Sequence, residues 1–400
     1  MSQQADQSVS TEFVALMALL ISLVALSIDA MLPALPAIGE ELGARNANDA
    51  QLVLSALFAG LAAGQMIYGP VSDSIGRKPA IYAGLAIFSA GCVLSVLAAS
   101  FEVMILGRIL QGLGAAGPRV VVVALVRDRY EGRAMARVMS FVMMVFICVP
   151  ALAPAIGQTI QQFFGWRAIF VSFLAIALIG LCWFAARQEE TCRREDRVPF
   201  VGGVILSGIV ETLKSRVALG YTIAAGFVFG AFIGFLVSAQ QIFQTTYGTG
   251  ELFPLYFAIL AIAVGSASTV NGTIVMRFGM RLISFRAVLI MSLLSALFWL
   301  YLLTLTAAPE FWLFMAYMLM TFFCFGLLLA NFQALAMEPL GHIAGVGAAV
   351  VSSLTTVISL ILGTIIGQLY DGTILPMVSG IAGLAILSVF TMMWTDRKPV

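Results

Sequence analysis

Asp29, Arg108 and Arg119 stand inside long apolar runs, and they are the residues of this chain best placed to do chemistry. A carboxylate surrounded by hydrocarbon costs on the order of 3 kcal/mol unless it is paired, neutralised or wetted. An arginine there keeps its proton and must find a carboxylate, a carbonyl, water or an anion. Arg108 and Arg119 are three helical turns apart, so they share one face of a helix, separated by about 16 Å along its axis. Asp29 lies near the end of the first apolar run, in DAMLPALP, at the depth expected of Arg108. The chemistry open to this set is reversible proton binding, because a nearby guanidinium favours the carboxylate and a closed, dry site favours the carboxyl. Two structural readings compete with it: a fixed Asp29–Arg108 pair joining two helices, or Asp29 as a cap before Pro33. Arg119 reads equally as a contact for an anionic group of a substrate and as part of a gate.

A second polar constellation is the run GPVSDSIGRKP at 69–79, which follows the pattern G-x-x-x-D-x-x-G-R-K through Gly69, Asp73, Gly76, Arg77 and Lys78. It suits a tight turn between two spanning helices, and its charges suit a gate better than a binding site. Asp73 is expected to meet the N-terminus of the eleventh helix, just after Gly341 and His342, where a helix favours negative charge. Pro150 and Pro154, followed by Gly157 in VPALAPAIG, mark a helix that can bend and rock, or one whose kinks only improve packing. The small residues of RILQGLGAAGPR, 108–119, permit close helix approach. The second half has no charge inside its spans. A cavity lined by Arg119, Gln111, Phe232, Phe235, Gln240, Tyr256 and Asn331 would therefore take a neutral or amphipathic compound. Phosphate-binding loops, nucleophile elbows and zinc-binding helices are missing from the sequence, so no enzyme is expected. The five cysteines have no metal-binding spacing.

The elements that must position these residues are membrane helices. Of 400 residues, 61% are hydrophobic and 10% charged, with mean hydropathy +1.03, against about 25% charged in soluble domains. Twelve apolar runs, from 13–35 to 374–394, are each long enough to cross a bilayer and do not alternate, which excludes a β-barrel. The expected fold is an all-α polytopic membrane protein with 12 transmembrane helices in two pseudo-symmetric six-helix bundles. These are residues 1–186 and 216–400, joined by a charged cytoplasmic linker at 187–215. A net charge of +1 gives no reason to expect a nucleic-acid partner. The first twelve residues lack a basic stretch, so the first run reads as a retained span. Of the 21 Lys and Arg residues, Arg45 and Arg167 alone fall in outside loops, and Arg108 and Arg119 fall within the fourth span. The others, from Arg77 to Lys398, lie in cytoplasmic loops if both termini are cytoplasmic. A weak repeat relates GTIVMRFGMR at 272–281 to GPVSDSIGRK at 69–78, with Gly279 at the place of Gly76 and Arg281 at that of Lys78. Repeats at matching places in two halves mark transporter folds.

The chain resembles the major facilitator superfamily of transporters, and within it the bicyclomycin-resistance (Bcr/CflA) branch of drug:proton antiporters. The likeness rests on D-x-x-L-P-A-L-P from Asp29, the 69–79 loop, and G-R-x-L-Q-G-x-G-A-A from Gly107 with Val126, Arg127 and Asp128 after it. It continues through V-P-x-L-A-P-x-x-G from Val149 to Gly157 and the run from Asn331 to Gly345. The resemblance implies alternating access around a central cavity in a bacterial inner membrane, with drugs leaving as protons enter. It implies gating by Asp73 and Arg77, a proton-relay role for Arg108 and a hinge at Pro150–Gly157. The proton gradient is the energy source, with no cofactor, and a monomer suffices because one chain holds both halves. Ile21 and Ser22 stand where some related exporters carry a second acid, which points to neutral or weakly charged compounds. The alternative is a proton-coupled transporter of an endogenous metabolite.

Overall fold

A computed structural model describes residues 10–197, 202–305 and 307–397. Lys398 and residues 198–201 of the expected linker lie outside them. Only helices and turns occur among the described residues. The first half comprises α1 (Thr11–Asp29), a short α2 (Leu35–Glu41), α3 (Leu52–Ile75), α4 (Arg77–Val96), α5 (Phe101–Arg129), α6 (Gly132–Phe164) and α7 (Arg167–Arg187). A linker helix α8 (Gly202–Lys214) leads into the second half. There follow α9 (Arg216–Gln241), α10 (Phe253–Phe278), α11 (Met280–Leu302), α12 (Phe311–Met337), α13 (Ala344–Gln368) and α14 (Leu375–Thr395). Among the described residues, eleven continuous helical stretches are long and apolar enough to cross a membrane. One of them, Phe311–Gln368, holds two spans, α12 and α13, joined by a bend at Glu338–Ile343. The twelve expected spans are therefore present.

The first span is shorter than its apolar run. The α-helix stops at Asp29, a single 3₁₀ turn covers Leu32–Ala34, and α2 restarts at Leu35. Pro33 and Pro36 occupy first-turn positions of those two segments, where a missing N–H costs nothing. Their rings also disfavour continuing α1 through them.

Packing within the first half centres on α5, which is sandwiched between α3 and α4. Gly60 and Gly112 leave their Cβ positions to backbone of the facing helix, α5 and α3 respectively, and Gly84 and Gly114 do the same between α4 and α5. Close backbone approach of this kind substitutes for the hydrophobic drive that lipid does not supply. In the second half α9 is the central helix. Ser359 and Ser388 donate to the carbonyls of Gly226 (3.1 Å) and Ala224 (3.4 Å) from α13 and α14. The two halves meet along α3 and α13, where Ser353 donates to the Ala62 carbonyl at 2.9 Å, Thr356 to the Gln65 side chain at 2.9 Å, and Thr364 to Ser55 at 2.8 Å.

The N-terminus of α1 and the ends of α7 and α14 share one face of the bundle, here called the linker face. Glu12 accepts from Trp183 and pairs with Arg187, while Arg216 donates to the Trp394 carbonyl. The sequence repeat is structural as well. Gly76 separates α3 from α4 with φ +109°, and Gly279 separates α10 from α11 with φ +78°. Both are in the region that favours glycine.

Candidate functional site

On the linker face the turn 69–79 forms a network of charges rather than a solvated loop. Arg77 is buried and pairs with Asp73 one turn before it and with Asp128 at the end of α5, the latter at 2.9 Å. Asp128 also accepts from Thr191 at 3.0 Å. The Glu190 carboxylate accepts the backbone N–H groups of Arg77 (2.9 Å) and Lys78 (3.0 Å), which caps the N-terminus of α4. Lys78 reaches past it to the Gln188 carbonyl at 2.6 Å. A side chain at position 76 would collide with Glu190 and Arg197, a second reason for Gly76 beyond its φ. Residues 188–197 of the linker are therefore strapped to the first half by Glu190. Neither Glu190 nor its role was legible, because RQEETCRREDR offers several acids with nothing to choose among them.

Asp73 also faces the other half. Its carboxylate oxygen lies 3.6 Å from where a Cβ on Gly345 would sit, in the first turn of α13, and the Gly69 Cβ position is 3.8 Å from Ala349. The expected encounter of Asp73 with the start of the eleventh span is thus in place. His342, in the bend before α13, meets Glu211 of α8.

Arg108 is fully buried and its donors are used inside the first half. Nε donates to the Val53 carbonyl at 3.1 Å, Nη1 to Gln111 at 2.5 Å, and Nη2 to the Ser27 carbonyl at 2.8 Å. Its guanidinium also lies over the Phe170 ring, 5.7 Å from the centroid. Gln111, expected in the cavity wall, is instead the support of Arg108, and donates to the Gly91 carbonyl and to Ser95. Asp29, two residues beyond Ser27, is 4% exposed and makes no hydrogen bond or ion pair with any described residue. The two groups share a depth, but the ion pair weighed from the sequence is not formed: carbonyls of α1 and α3 satisfy Arg108. Arg119 is half-buried and has no partner among the described residues.

Pro150 and Pro154 lie inside the 33-residue α6, and Gly157 one turn on is seated directly against the carbonyl of Ala30. The expected hinge helix thereby touches the residue beside Asp29.

The cavity residues expected of the second half divide. Phe235 is fully buried in an aromatic cluster, with its ring 4.9 Å from Phe322, so it packs rather than lines. Asn331 and Asn271 exchange two amide hydrogen bonds of 2.9 and 3.0 Å. Gln240 donates to Gln244 at 2.6 Å, and Tyr256 packs on Phe311 at 4.7 Å. Phe232 is half-buried and stacks on Phe229, which meets Phe58 of the first half.

The opposite face is closed by uncharged groups that sequence reasoning missed. Asn48, before α3, donates to the carbonyls of Gln368 (3.1 Å) and Tyr370 (2.8 Å), and Gln368 donates back to the Asn48 carbonyl at 2.8 Å. Gln241 donates to the Asn48 side chain at 2.9 Å and accepts from Gln51. Polar residues at the ends of apolar runs were the available signal, but nothing in the sequence said that these ends meet.

Two bundles of six spans, related by a repeat and joined by polar contacts along α3 and α13 and at the face opposite the linker, define a membrane transporter of the alternating-access architecture. The chain belongs to the Major Facilitator Superfamily, whose profile matches residues 17–364. It is 29% identical over 362 residues to the uncharacterized MFS-type transporter YdgK of Bacillus subtilis, covering 88% of this chain and 87% of that one. It is 27% identical over 380 residues to a bicyclomycin resistance protein homolog of Haemophilus influenzae, covering 94% of each. Among solved structures it superposes on a D-xylose-proton symporter with TM-score 0.74 at 15% identity, over 97% of this chain and 98% of the other. That last likeness concerns the fold alone.

Proposed function

We propose that this chain is a proton-coupled antiporter that exports drugs or other small amphipathic compounds across a bacterial inner membrane. Its linker face and both termini are cytoplasmic in this reading, and the inward proton gradient supplies the energy. The relationship to a bicyclomycin resistance protein homolog over 94% of both chains supports drug export. The observation that carries proton coupling is the Asp29 carboxylate, buried and without a partner among the described residues.

A charge held there is costly unless water reaches it. Gly157 of α6 covers the neighbouring Ala30 carbonyl, and the two prolines of α6 allow that helix to bend. Rocking of α6 changes the cover over the end of α1. Asp29 then takes a proton when its site opens outward and sheds it when water enters from the cytoplasm. Arg108 is anchored to α1 through the Ser27 carbonyl, two residues before Asp29. On the cytoplasmic face Asp73, set against the first turn of α13 and held by Arg77, keeps the halves together until the cycle parts them.

The test is proton release from energised everted vesicles on addition of neutral, cationic and anionic antibiotics. The proposal predicts that at least one neutral amphipathic compound collapses the pH gradient only when the protein is present. Silence across the panel with well-folded protein would overturn it.

A further inference from the structure

We propose that Arg119 is the ligand-binding cation of the transport pathway, and that it selects compounds carrying a carboxylate or a similar anionic oxygen pair. The inference rests on the exporter reading above and adds a substrate class to it. The two intramembrane arginines of α5 are treated in opposite ways. Arg108 is fully buried, with Val53, Ser27 and Gln111 all accepting from it. Arg119 is on the same face about 16 Å nearer the linker face, half-buried, and bonded to none of the described residues. A guanidinium has five donors and cannot lose its charge in this setting. Left without an acceptor in a partly desolvated site, it is an uncompensated positive potential.

No acid among the described residues pairs with it. Asp29, the acid within the first half's spans, is near the level of Arg108. Asp128, nine residues further along α5, is about 14 Å away along the axis and is taken up by Arg77 and Thr191. Asn271 and Asn331 of the second half satisfy each other. The positions flanking Arg119 on its own helix, from Gly112 to Gly117 and from Val120 to Val123, carry small or apolar side chains. The environment therefore presents one planar fork in an apolar wall. Such a fork matches a carboxylate in two parallel hydrogen bonds, with the apolar body of the ligand left against hydrocarbon.

The experiment measures binding of 1-naphthylacetate and of its methyl ester to the purified protein in lipid nanodiscs, by ligand fluorescence. The wild type is expected to hold the acid at least about tenfold more tightly than the ester, the discrimination that charge-assisted hydrogen bonds supply. Arg119→Gln should remove that preference while leaving the ester's affinity unchanged. Arg119→Lys, which keeps the charge but loses the fork, should retain only part of it, and raising the salt concentration should weaken acid binding alone. Equal affinity of wild type for acid and ester, no binding of the acid, or a preference that survives in Arg119→Gln would each overturn the proposal. If the Gln variant does not elute as folded protein, the Lys variant decides: full retention of the preference at high and low salt rejects the bidentate site. Proton release driven by a neutral antibiotic in everted vesicles is scored separately, so a wild type that shows that release but no preference for the acid rejects this inference and spares the export reading.

Discussion

Replacing Glu190 by alanine should release the linker strap on the linker face, and Cys192 reports that release. Glu190 accepts two backbone N–H groups at the start of α4, at 2.9 and 3.0 Å, and a third from Cys192 itself at 3.0 Å. Losing a carboxylate cap at a helix N-terminus costs about 1–2 kcal/mol, and its charge against the helix end adds about 0.5 kcal/mol. A total of about 2 kcal/mol corresponds to a roughly 30-fold rise in the population of the opened segment. Cys192 is 7% exposed, and burial pushes its thiol above the ordinary range. The closed state is thus both covered and poor in thiolate at pH 8, and opening the strap lifts both barriers. The assay is labelling by a polar maleimide in everted vesicles, in a background with Cys148 and Cys182 replaced by serine. Glu190→Ala should label about 30-fold faster than wild type, and Glu190→Gln, which keeps one acceptor, by a smaller factor. The pH at which labelling accelerates should fall towards that of a free thiol as the strap opens. Unchanged labelling in Glu190→Ala would refute the strap.

Other perturbations probe the remaining contacts. Arg108→Ala strands the Val53 and Ser27 carbonyls and Gln111 around a cavity, so a loss of about 3–5 kcal/mol is expected, read as a lower Tm in detergent. Arg108→Lys should not restore it, because one ammonium cannot replace the fork. Gly157→Val pushes a side chain into the Ala30 carbonyl, with about 1–3 kcal/mol of overpacking. Membrane insertion should persist while drug-driven proton release is lost. Asn48→Ala removes contacts to Gln368, Tyr370 and Gln241 at the face opposite the linker, and labelling of a Ser55→Cys probe from that side should rise about tenfold or more.

Much of the architecture was legible because lipid leaves few options. Apolar run length located α3 to α7 and α9 to α14 to within a few residues, while α8, inside the expected linker, was not foreseen. The departure was the first span, where Pro33 and Pro36 split one apolar run into α1, a 3₁₀ turn and α2. The turn at Gly76 and the placement of Asp73 against the start of α13 were readable from spacing, because a tight polar turn between two apolar runs has few other geometries. The partners of Arg108 were not. A guanidinium can be satisfied by backbone carbonyls of helices brought together only by folding, and carbonyls leave no trace in side-chain identity. The amide contacts of Asn48, Gln51, Gln241 and Gln368 were hidden for the same reason, since they join residues up to 322 positions apart. Phe235 and Asn331 show the limit from the other side: residue type alone does not separate a cavity wall from a packed cluster.

The measurement that bears most directly on the account is proton release by the purified protein in unbuffered detergent solution when a transported compound is added. It compares wild type with Asp29→Asn. The account predicts a stoichiometric proton signal from wild type and none from Asp29→Asn, although that variant still binds the compound. An equal signal from both would contradict it and place the exchanging proton on another group.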